Sequence, residues 1–277
     1  MSETSPRYPD SLSPSRANDF LTCPLLYRLR SIDRLPEEPS LAAIRGTVVH
    51  SALERIFDLP SQDRSIEAAE SFYLAARMEL IESDEESASV LLADDASDPL
   101  AKITPLFRNY FSLENPRHIE PHARETPVAA ELAPHFVARG FVDRIDRSPD
   151  GLIRIVDYKT GRSPGAGFEG KSMFQMRFYA LVWWRMTGVL PAMLRLVFLG
   201  DSQLVSYSPT VDDLESTERK ILAIRDAISR AVRDGFTPKK SKLCSWCSFQ
   251  AICPSFGGSP PLMPEPQLGL GPAGNEP

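Results

Sequence analysis

The sequence lacks any apolar run that approaches the roughly 18–20 residues needed to cross a bilayer. Its longest candidate, residues 178–199, is interrupted by Arg185, Gly188, Pro191 and Arg195. The N-terminus also lacks the charged and then apolar pattern of a secretion signal. We therefore expect a cytoplasmic protein that has no membrane partner.

Cysteine is scarce, with four residues among 277: Cys23, Cys244, Cys247 and Cys253. Disulfides are rare in the reducing cytoplasm, so this spacing favours metal ligation. Cys244 and Cys247 form a Cys-x₂-Cys pair, and Cys253 adds a third thiolate from the same short loop. Cys23 would be the fourth ligand. The clustering disfavours unligated buried thiols, but spacing alone leaves both structural zinc and an iron–sulfur cluster open.

Positive charge is not in excess, since the formal net charge is −6. That balance argues mildly against nucleic acid as a partner, because DNA-binding proteins usually present a basic face. However, much of the acid is concentrated in residues 82–98, which contain seven carboxylates and no basic residue. A local basic groove can coexist with this segment, so composition does not decide the partner.

Hydrophobic periodicity predicts helices first and strands later. Helices are predicted at 13–29, 41–57, 66–81, 99–112, 171–187 and 211–234. Strands are predicted at 126–138, 138–147, 152–158, 193–199 and 203–207, with a tight turn at Asp150-Gly151. This order indicates an α/β fold with a mixed central sheet flanked by helices. We expect a flexible N-terminus at 1–12 and a disordered tail at 257–277.

The densest chemistry lies on two predicted neighbouring strands. Asp157 and Lys159 are two residues apart and therefore point to the same face, and Asp143 lies across the hairpin from Asp157. Facing carboxylates repel unless a cation lies between them, and oxygen ligands suit Mg²⁺ or Mn²⁺. A lysine beside that metal can stabilise phosphate charge or orient an attacking water. Alone, Asp-x-Lys is more often a solvated salt bridge.

Three further elements occur in an informative order. His50 follows Gly46-Thr47 inside an apolar helical stretch, and Gln175 and Tyr179 lie four apart on one helix face. Each of these has a bland explanation when taken alone, since a lone histidine on an apolar helix is more often a core residue. Their joint order and spacing favour a functional site.

The combined motifs resemble the RecB-family nuclease domain of the PD-(D/E)XK superfamily, which includes AddB-type and CRISPR-associated RecB-like exonucleases. They read Gly46-Thr47-x-x-His50, Gly140-x-x-Asp143-Arg144-x-Asp146, Asp157-Tyr158-Lys159-Thr160-Gly161 and Gln175-x-x-x-Tyr179. The resemblance covers roughly residues 11–256. One departure is Val142-Asp143 in place of the nominal Pro-Asp.

The resemblance implies a restriction-endonuclease-like core with N-terminal helices, occupying residues 13–256. It also implies roles for individual residues. His50, Asp143, Asp157 and the Tyr158 carbonyl would bind Mg²⁺ or Mn²⁺, and Lys159 would be the catalytic lysine. Gln175 and Tyr179 would support the site or touch the DNA backbone. An assisting acid is expected on the preceding strand, with Glu125 as first candidate and Glu131 as second.

The resemblance further implies that the four cysteines hold a four-iron–four-sulfur cluster as a C-terminal clasp. The expected activity is hydrolysis of DNA, from an end and on single strands, in repair or recombination near the nucleoid. No Walker-type Gly-x-x-x-x-Gly-Lys-Ser/Thr loop is present, so any helicase would be a separate partner. Three alternatives remain: a non-catalytic DNA-binding scaffold subunit, a zinc-stabilised interaction protein, and a hydrolase that acts on other phosphoesters.

Overall fold

The computed structural model of the chain describes residues 9–94, 98–165 and 170–263. The helices of four residues or more are α1 (Pro14–Thr22), α2 (Pro24–Tyr27), a π-helical turn (Arg28–Ile32), α3 (Leu41–Arg55), α4 (Ile66–Ser83), α5 (Glu85–Asp94), α6 (Thr104–Leu113), α7 (Gly170–Thr187), α8 (Val211–Asp234) and a 3₁₀ helix (Lys242–Trp246). The strands are β1 (Ser11–Leu12), β2 (Pro121–Ala133), β3 (Phe136–Arg147), β4 (Ile153–Lys159), β5 (Met193–Phe198) and β6 (Gln203–Tyr207). None of the described helices is both long and apolar enough to span a bilayer.

The chain divides into two compact units. The first contains the residues up to Glu37, the segment Glu131–Ala138 and the residues from Arg219 onwards. The second contains Glu38–Ala130 and Arg139–Glu218. Each unit is therefore assembled from segments that are distant in sequence.

The second unit is built on a mixed sheet. β4 pairs antiparallel with β3 and parallel with β5, β6 pairs antiparallel with β5, and β2 pairs with β3. Helix α7 lies in the connection between the parallel strands β4 and β5 and contacts both of them, as a crossover connection requires. The predicted class, an α/β fold with a mixed central sheet flanked by helices, is confirmed.

Alternation along β4 separates a structural face from a chemical face. Val156 and Tyr158 belong to the main hydrophobic core of the second unit, together with Val197 of β5 and buried residues of α3, α4 and α6. Asp157 and Lys159 point the other way, where Gln175 of α7 meets them. The same strand thus fixes the sheet to the helices and presents two charged groups.

The first strand of the first unit lies earlier in the sequence than the first predicted element. Ser11–Leu12 pairs parallel with Val137 and Ala138, and Leu12 is fully buried. The expectation of a flexible segment through residue 12 is therefore wrong for β1, since a two-residue strand leaves no periodic signal. Residues 1–8 lie outside the described residues.

Other boundaries also differ from the prediction. Ser13 caps α1 by accepting a hydrogen bond from the Arg16 N–H, as expected, but the helix ends at Thr22 and restarts at Pro24 because Cys23 is extended. Within the acidic stretch, Glu85–Asp94 forms helix α5. In the tail, the Pro261 carbonyl accepts a hydrogen bond from Arg28, whereas Leu262 is 96% exposed. Disorder from 257 stays a prediction, and residues 264–277 lie outside the described residues.

A buried charge network joins the sheet of the second unit to its helices. Arg144 is 1% exposed and donates to Glu114 at 2.8 Å and to the hydroxyls of Tyr110 and Tyr158. Glu114 also pairs with Arg195 of β5 at 3.2 Å. An unpaired buried charge is costly, so these groups hold β3, β4, β5 and α6 in one arrangement.

The end of β4 is held by a close backbone contact. Gly200 follows β5 and donates its N–H to the Gly161 carbonyl at 3.1 Å. A Cβ atom on Gly200 would lie 2.7 Å from the Gly161 carbonyl carbon and oxygen, a distance that real Cβ atoms do not adopt. The absence of a side chain at this position therefore fixes the loop that follows Lys159.

We expect Arg144→Leu to lower the free energy of unfolding by about 3 kcal/mol, because it leaves Glu114 buried with less compensation. Arg195 still pairs with Glu114, which keeps the loss at the lower end of the range for broken buried pairs. The control is Arg55→Leu, which removes an ion pair with the exposed Glu79 and should cost at most about 1 kcal/mol. Urea unfolding measures both, and equal losses would contradict the network's role.

Gly200→Ala should destabilise the protein by about 1–3 kcal/mol, because the added methyl group overlaps backbone that cannot move aside. Gly161→Ala changes the other partner of the same contact, but its Cβ would meet nothing within 4 Å. That variant should unfold close to wild type in the same thermal scan. A larger loss at Gly161 than at Gly200 would show that the contact is misassigned.

Candidate metal centre and cysteine-lined cavity

The carboxylates of Asp143 and Asp157 lie at the point where strands β3 and β4 stop pairing. The β3–β4 ladder extends to Arg144↔Val156, so Asp143 and Asp157 occupy the next position along the register. There the backbone N–H of Tyr158 donates to the Asp143 carboxylate at 2.7 Å. This hydrogen bond fixes the Asp143 side chain at the strand end.

His50 and Glu125 approach Asp143 from two other elements. His50 of α3 places Nδ1 3.4 Å from Asp143 Oδ2, and ligand atoms of His50, Glu125 and Asp143 all lie within 4.8 Å of one another. Glu125 lies within β2 and has a φ of 38°, a left-handed conformation that is uncommon for a residue with a side chain. The local backbone is therefore irregular at the residue that brings the third group to the cluster.

Asp157 and Lys159 form a second group with two side chains of α7. Lys159 Nζ lies 2.7 Å from Asp157 Oδ2, and it donates to Gln175 Oε1 at 3.0 Å. Gln175 Nε2 lies 3.0 Å from both Asp157 Oδ1 and the Tyr179 hydroxyl. Gln175 thus fixes the orientation of both charged groups through its oxygen and nitrogen atoms.

The pKa values at the site are shifted because several acidic side chains lie close together and are partly buried. Burial, and then the charge of Asp143, raises the pKa of Glu125 to about 7 and the pKa of Asp157 to about 6. Burial alone would lower the pKa of His50, but the hydrogen bond and charge of Asp143 outweigh it and raise that pKa. A positive ion would relieve the repulsion that produces these shifts.

The donor set at His50, Glu125 and Asp143 fits a divalent cation. One imidazole and two carboxylates supply nitrogen and oxygen ligands, and their spacing allows all three to reach one ion. A water-accessible cavity of about 480 Å³ lies beside His50 and Lys159 and is lined also by Gly46, Thr160 and Arg162. The cluster therefore has open access from solvent.

The predicted site residues do not all occupy one cluster. His50, Glu125 and Asp143 meet in one group, whereas Asp157, Lys159, Gln175 and Tyr179 form the adjoining group. Glu131 is exposed in the other unit, and its carboxylate accepts from the His135 N–H at 2.9 Å. The Tyr158 carbonyl stays a predicted ligand, since the contacts that describe this residue involve its N–H and hydroxyl.

Sequence reasoning missed the residues that hold β3 and β4 behind this site. Tyr110 lies on α6 and Glu114 directly follows it, thirty or more residues before their partner Arg144. The available signal was Arg144 itself, a cation between Asp143 and Ile145 in a predicted strand.

The four cysteines of the first unit line one cavity. Its volume is about 60 Å³, and apolar side chains such as Leu25 and Leu29 complete its wall. All four are free thiols and half-buried. Backbone N–H groups donate to two of the sulfurs, from Lys239 to Cys23 and from Ser241 to Cys244, at 3.3 Å each.

Their arrangement suits a group larger than a single ion. Burial raises the pKa of Cys247, and the charges of the other three thiols raise it further. Among the described residues, no three of the cysteine sulfurs all lie within 4.8 Å of one another. Tetrahedral zinc with Zn–S distances of about 2.3 Å needs sulfurs about 3.8 Å apart.

A glycine closes the cysteine loop. Gly258 donates its N–H to the Cys253 carbonyl at 3.0 Å. A Cβ on this residue would come within 2.3 Å of the Ala251 carbonyl oxygen. The chain after Cys253 therefore folds back onto the loop that carries the ligands.

Comparisons with known proteins agree with this fold. The crystal structure of the "Putative exonuclease" from Eubacterium rectale superposes with a TM-score of 0.50 at 16% identity, over 89% of this chain and 92% of that one. The crystal structure of SSO0001 gives a TM-score of 0.39 at 15% identity, over 89% and 87%. Curated protein sequences give no match. The profile of the PD-(D/E)XK nuclease superfamily matches residues 11–254, and the chain therefore belongs to that superfamily.

Proposed function

We propose that this protein is a metal-dependent deoxyribonuclease of the RecB type that degrades single-stranded DNA from an end. The observation that carries the proposal is the adjoining pair of groups at the ends of β3 and β4. One offers a cation three ligands, and the other holds a lysine against a carboxylate and an amide. A bound cation and a positioned lysine can each stabilise the charge that develops in phosphodiester hydrolysis.

The first group would hold Mg²⁺ or Mn²⁺ through His50, Glu125 and Asp143, with Asp157 adjoining. When bound, such an ion supplies Lewis-acid activation of the phosphate and of water. The Tyr158 N–H keeps one Asp143 oxygen fixed, which preorganises the ligand. His50 is available as a neutral ligand once a cation replaces the proton that Asp143 favours.

The second group would act on the phosphate. Lys159 Nζ is held between Asp157 and Gln175, so its charge is positioned before substrate arrives. Here it would neutralise charge that develops on the phosphate oxygens, or orient the attacking water. Gln175 and Tyr179 would position Lys159 and Asp157 or touch the DNA backbone.

The substrate proposal rests on the open cavity and on the resemblance to RecB-like enzymes. The 480 Å³ cavity beside Lys159 presents the exposed cation Arg162, which suits a phosphate backbone. Unwinding would come from a separate helicase, and the setting would be DNA repair or recombination. A non-catalytic scaffold is the other outcome to be tested, and the complete set of polar contacts around Lys159 favours catalysis over it.

The four cysteines are proposed to hold a four-iron–four-sulfur cluster. A water molecule occupies about 10–15 Å³ of comparable cavity volume, so a 60 Å³ cavity holds several times more than one small ion. The sulfurs of Cys23 and Cys244 accept hydrogen bonds from backbone N–H groups, as is typical of cluster sites, where such bonds stabilise negative charge on sulfur. Zinc is the alternative, and it would require the thiolates to move closer together.

Cleavage of end-labelled single-stranded DNA tests the nuclease. Wild type should degrade it with Mg²⁺ or Mn²⁺ and not after chelation. Asp157→Asn should remove detectable cleavage, and Lys159→Ala should lower turnover by about 10²–10³-fold, the loss expected for one charge-stabilising donor. The control is Lys102→Ala, which removes the same charge from an ion pair with Asp94 and should cleave normally.

The outcomes of this assay separate the alternatives. Normal cleavage by Lys159→Ala, with unchanged circular dichroism, would refute the role given to that lysine. A wild-type protein that binds DNA with either metal present, yet cuts none, would be the scaffold. Comparing 5′ and 3′ labels gives the polarity of degradation.

The cysteine centre is tested by metal content and stability together. Protein purified without oxygen should be brown and carry about four iron atoms per chain. Cys244→Ala should lose the iron and unfold at lower temperature, by about 2–4 °C for each kcal/mol lost. The control is Ser248→Ala in the same loop. Colourless protein with one zinc per chain would replace the cluster with zinc.

A further inference from the structure

A tryptophan in the cysteine loop faces solvent. Trp246 ends the 3₁₀ helix Lys242–Trp246 and is 79% exposed. Residues three apart eclipse on such a helix, so Leu243, which is 48% exposed, lies on the same face. Phe249, a few residues later, is buried. The loop thus packs through Phe249 and leaves its larger ring outside.

The charge around this ring is opposite in sign to that of the whole chain. Residues 235–264 contain three lysines and no aspartate or glutamate, whereas the chain as a whole carries −6. Lys239 is used within the cysteine site, because its Nζ donates to the Leu21 carbonyl. Lys240 and Lys242 are exposed, and Lys240 Nζ lies 5.0 Å from the ring centre of Phe256, itself 48% exposed.

Single exposed apolar residues are ordinary, but this combination is not. Residues 240–256 of the first unit expose two aromatic rings, a leucine and two lysines. Lys240, Leu243 and Phe256 also line the same cavity as the cysteines, so they lie around one place in the fold. Aromatic faces next to flexible cations are what single-stranded nucleic acid requires, since bases stack and phosphates pair with lysine.

We propose that Lys240, Lys242, Leu243, Trp246 and Phe256, the Trp246 surface, bind single-stranded DNA. A base stacks on the Trp246 ring and the two lysines contact the adjoining phosphates. The site belongs to the unit that holds the cysteines, and it requires neither His50 nor Lys159. It goes beyond the proposed cleavage function, because binding at this surface does not depend on hydrolysis.

Single strands fit this surface better than duplex DNA does. In a duplex the faces of the bases are stacked on each other, and the edges in the grooves carry the readout. The Trp246 surface offers ring faces and point charges, and the neighbouring Gln250 donates its side-chain amide to the Cys244 carbonyl. We therefore expect binding that tolerates any sequence.

The first test is equilibrium binding of a fluorescent oligothymidylate to the full-length, metal-replete protein, with Asp157→Asn present to prevent cleavage. Trp246→Ala should weaken binding about ten- to hundredfold, as expected for one lost base stack. Trp246→Phe should retain most of the affinity. Leu262→Ala, which truncates an apolar residue that is 96% exposed, is the control and should bind normally.

The lysines are tested by salt dependence. Lys242→Gln should reduce the slope of log K against log salt by about 0.7, the value for one phosphate contact on a single strand. Lys102→Gln makes the same charge change in the other unit and should leave the slope unaltered. A change of the slope in both variants would mean that only net charge matters, which would overturn the assignment.

Cleavage kinetics distinguish this proposal from the nuclease itself. With Asp157 restored, Trp246→Ala should raise KM for single-stranded DNA and leave kcat and iron content unchanged. Wild-type affinity in Trp246→Ala would overturn the Trp246 surface while leaving the cleavage centre intact, and would point to a protein partner there. Absence of cleavage in wild type would end the nuclease proposal, yet the binding assay would still decide this one.

Discussion

Asp143 and Asp157 carry like charges at adjacent ends of β3 and β4, where little water screens them. Everything around them can be understood as compensation. Lys159 and Gln175 occupy the oxygens of Asp157, and the Tyr158 N–H and His50 occupy those of Asp143. Glu125 adds a third acid to a site that already repels it, which raises its pKa. The cluster therefore leaves a defined place for a positive charge, and we propose that a divalent ion fills it.

The same two strands carry a second charge cluster on their opposite face. Arg144 follows Asp143 directly, and alternation along β3 turns it into the helical layer. There it is neutralised internally by Glu114 and held by two tyrosine hydroxyls. One cluster is complete within the protein and the other is not. Because side chains alternate along β3, Arg144 stabilises the fold on one face of the strand, and Asp143 belongs to the candidate metal site on the other face.

Local patterns predicted much of this fold. The strand at 203–207 and the helix at 211–234 have the predicted bounds, because each carries its own periodicity and its own boundaries. The break at Cys23 and the strand at Ser11–Leu12 were not predicted, since each depends on contacts with distant segments. The motifs singled out two pairs of residues that lie side by side in the structure, His50 with Asp143 and Lys159 with Asp157. Glu114 escaped notice because nothing near it in sequence indicates a buried acid.

The distant position of the fourth cysteine in the sequence has a thermodynamic consequence. Three of the thiols come from one loop, and a fourth ligand from the same loop would close only a short segment of chain. Taking Cys23 instead makes the proposed metal centre close a loop of roughly 220 residues. A cross-link of that length removes about 5 kcal/mol of chain entropy from the unfolded state. A first unit assembled from three separate segments would gain from such a link, because the link joins its N-terminal segment to its C-terminal one.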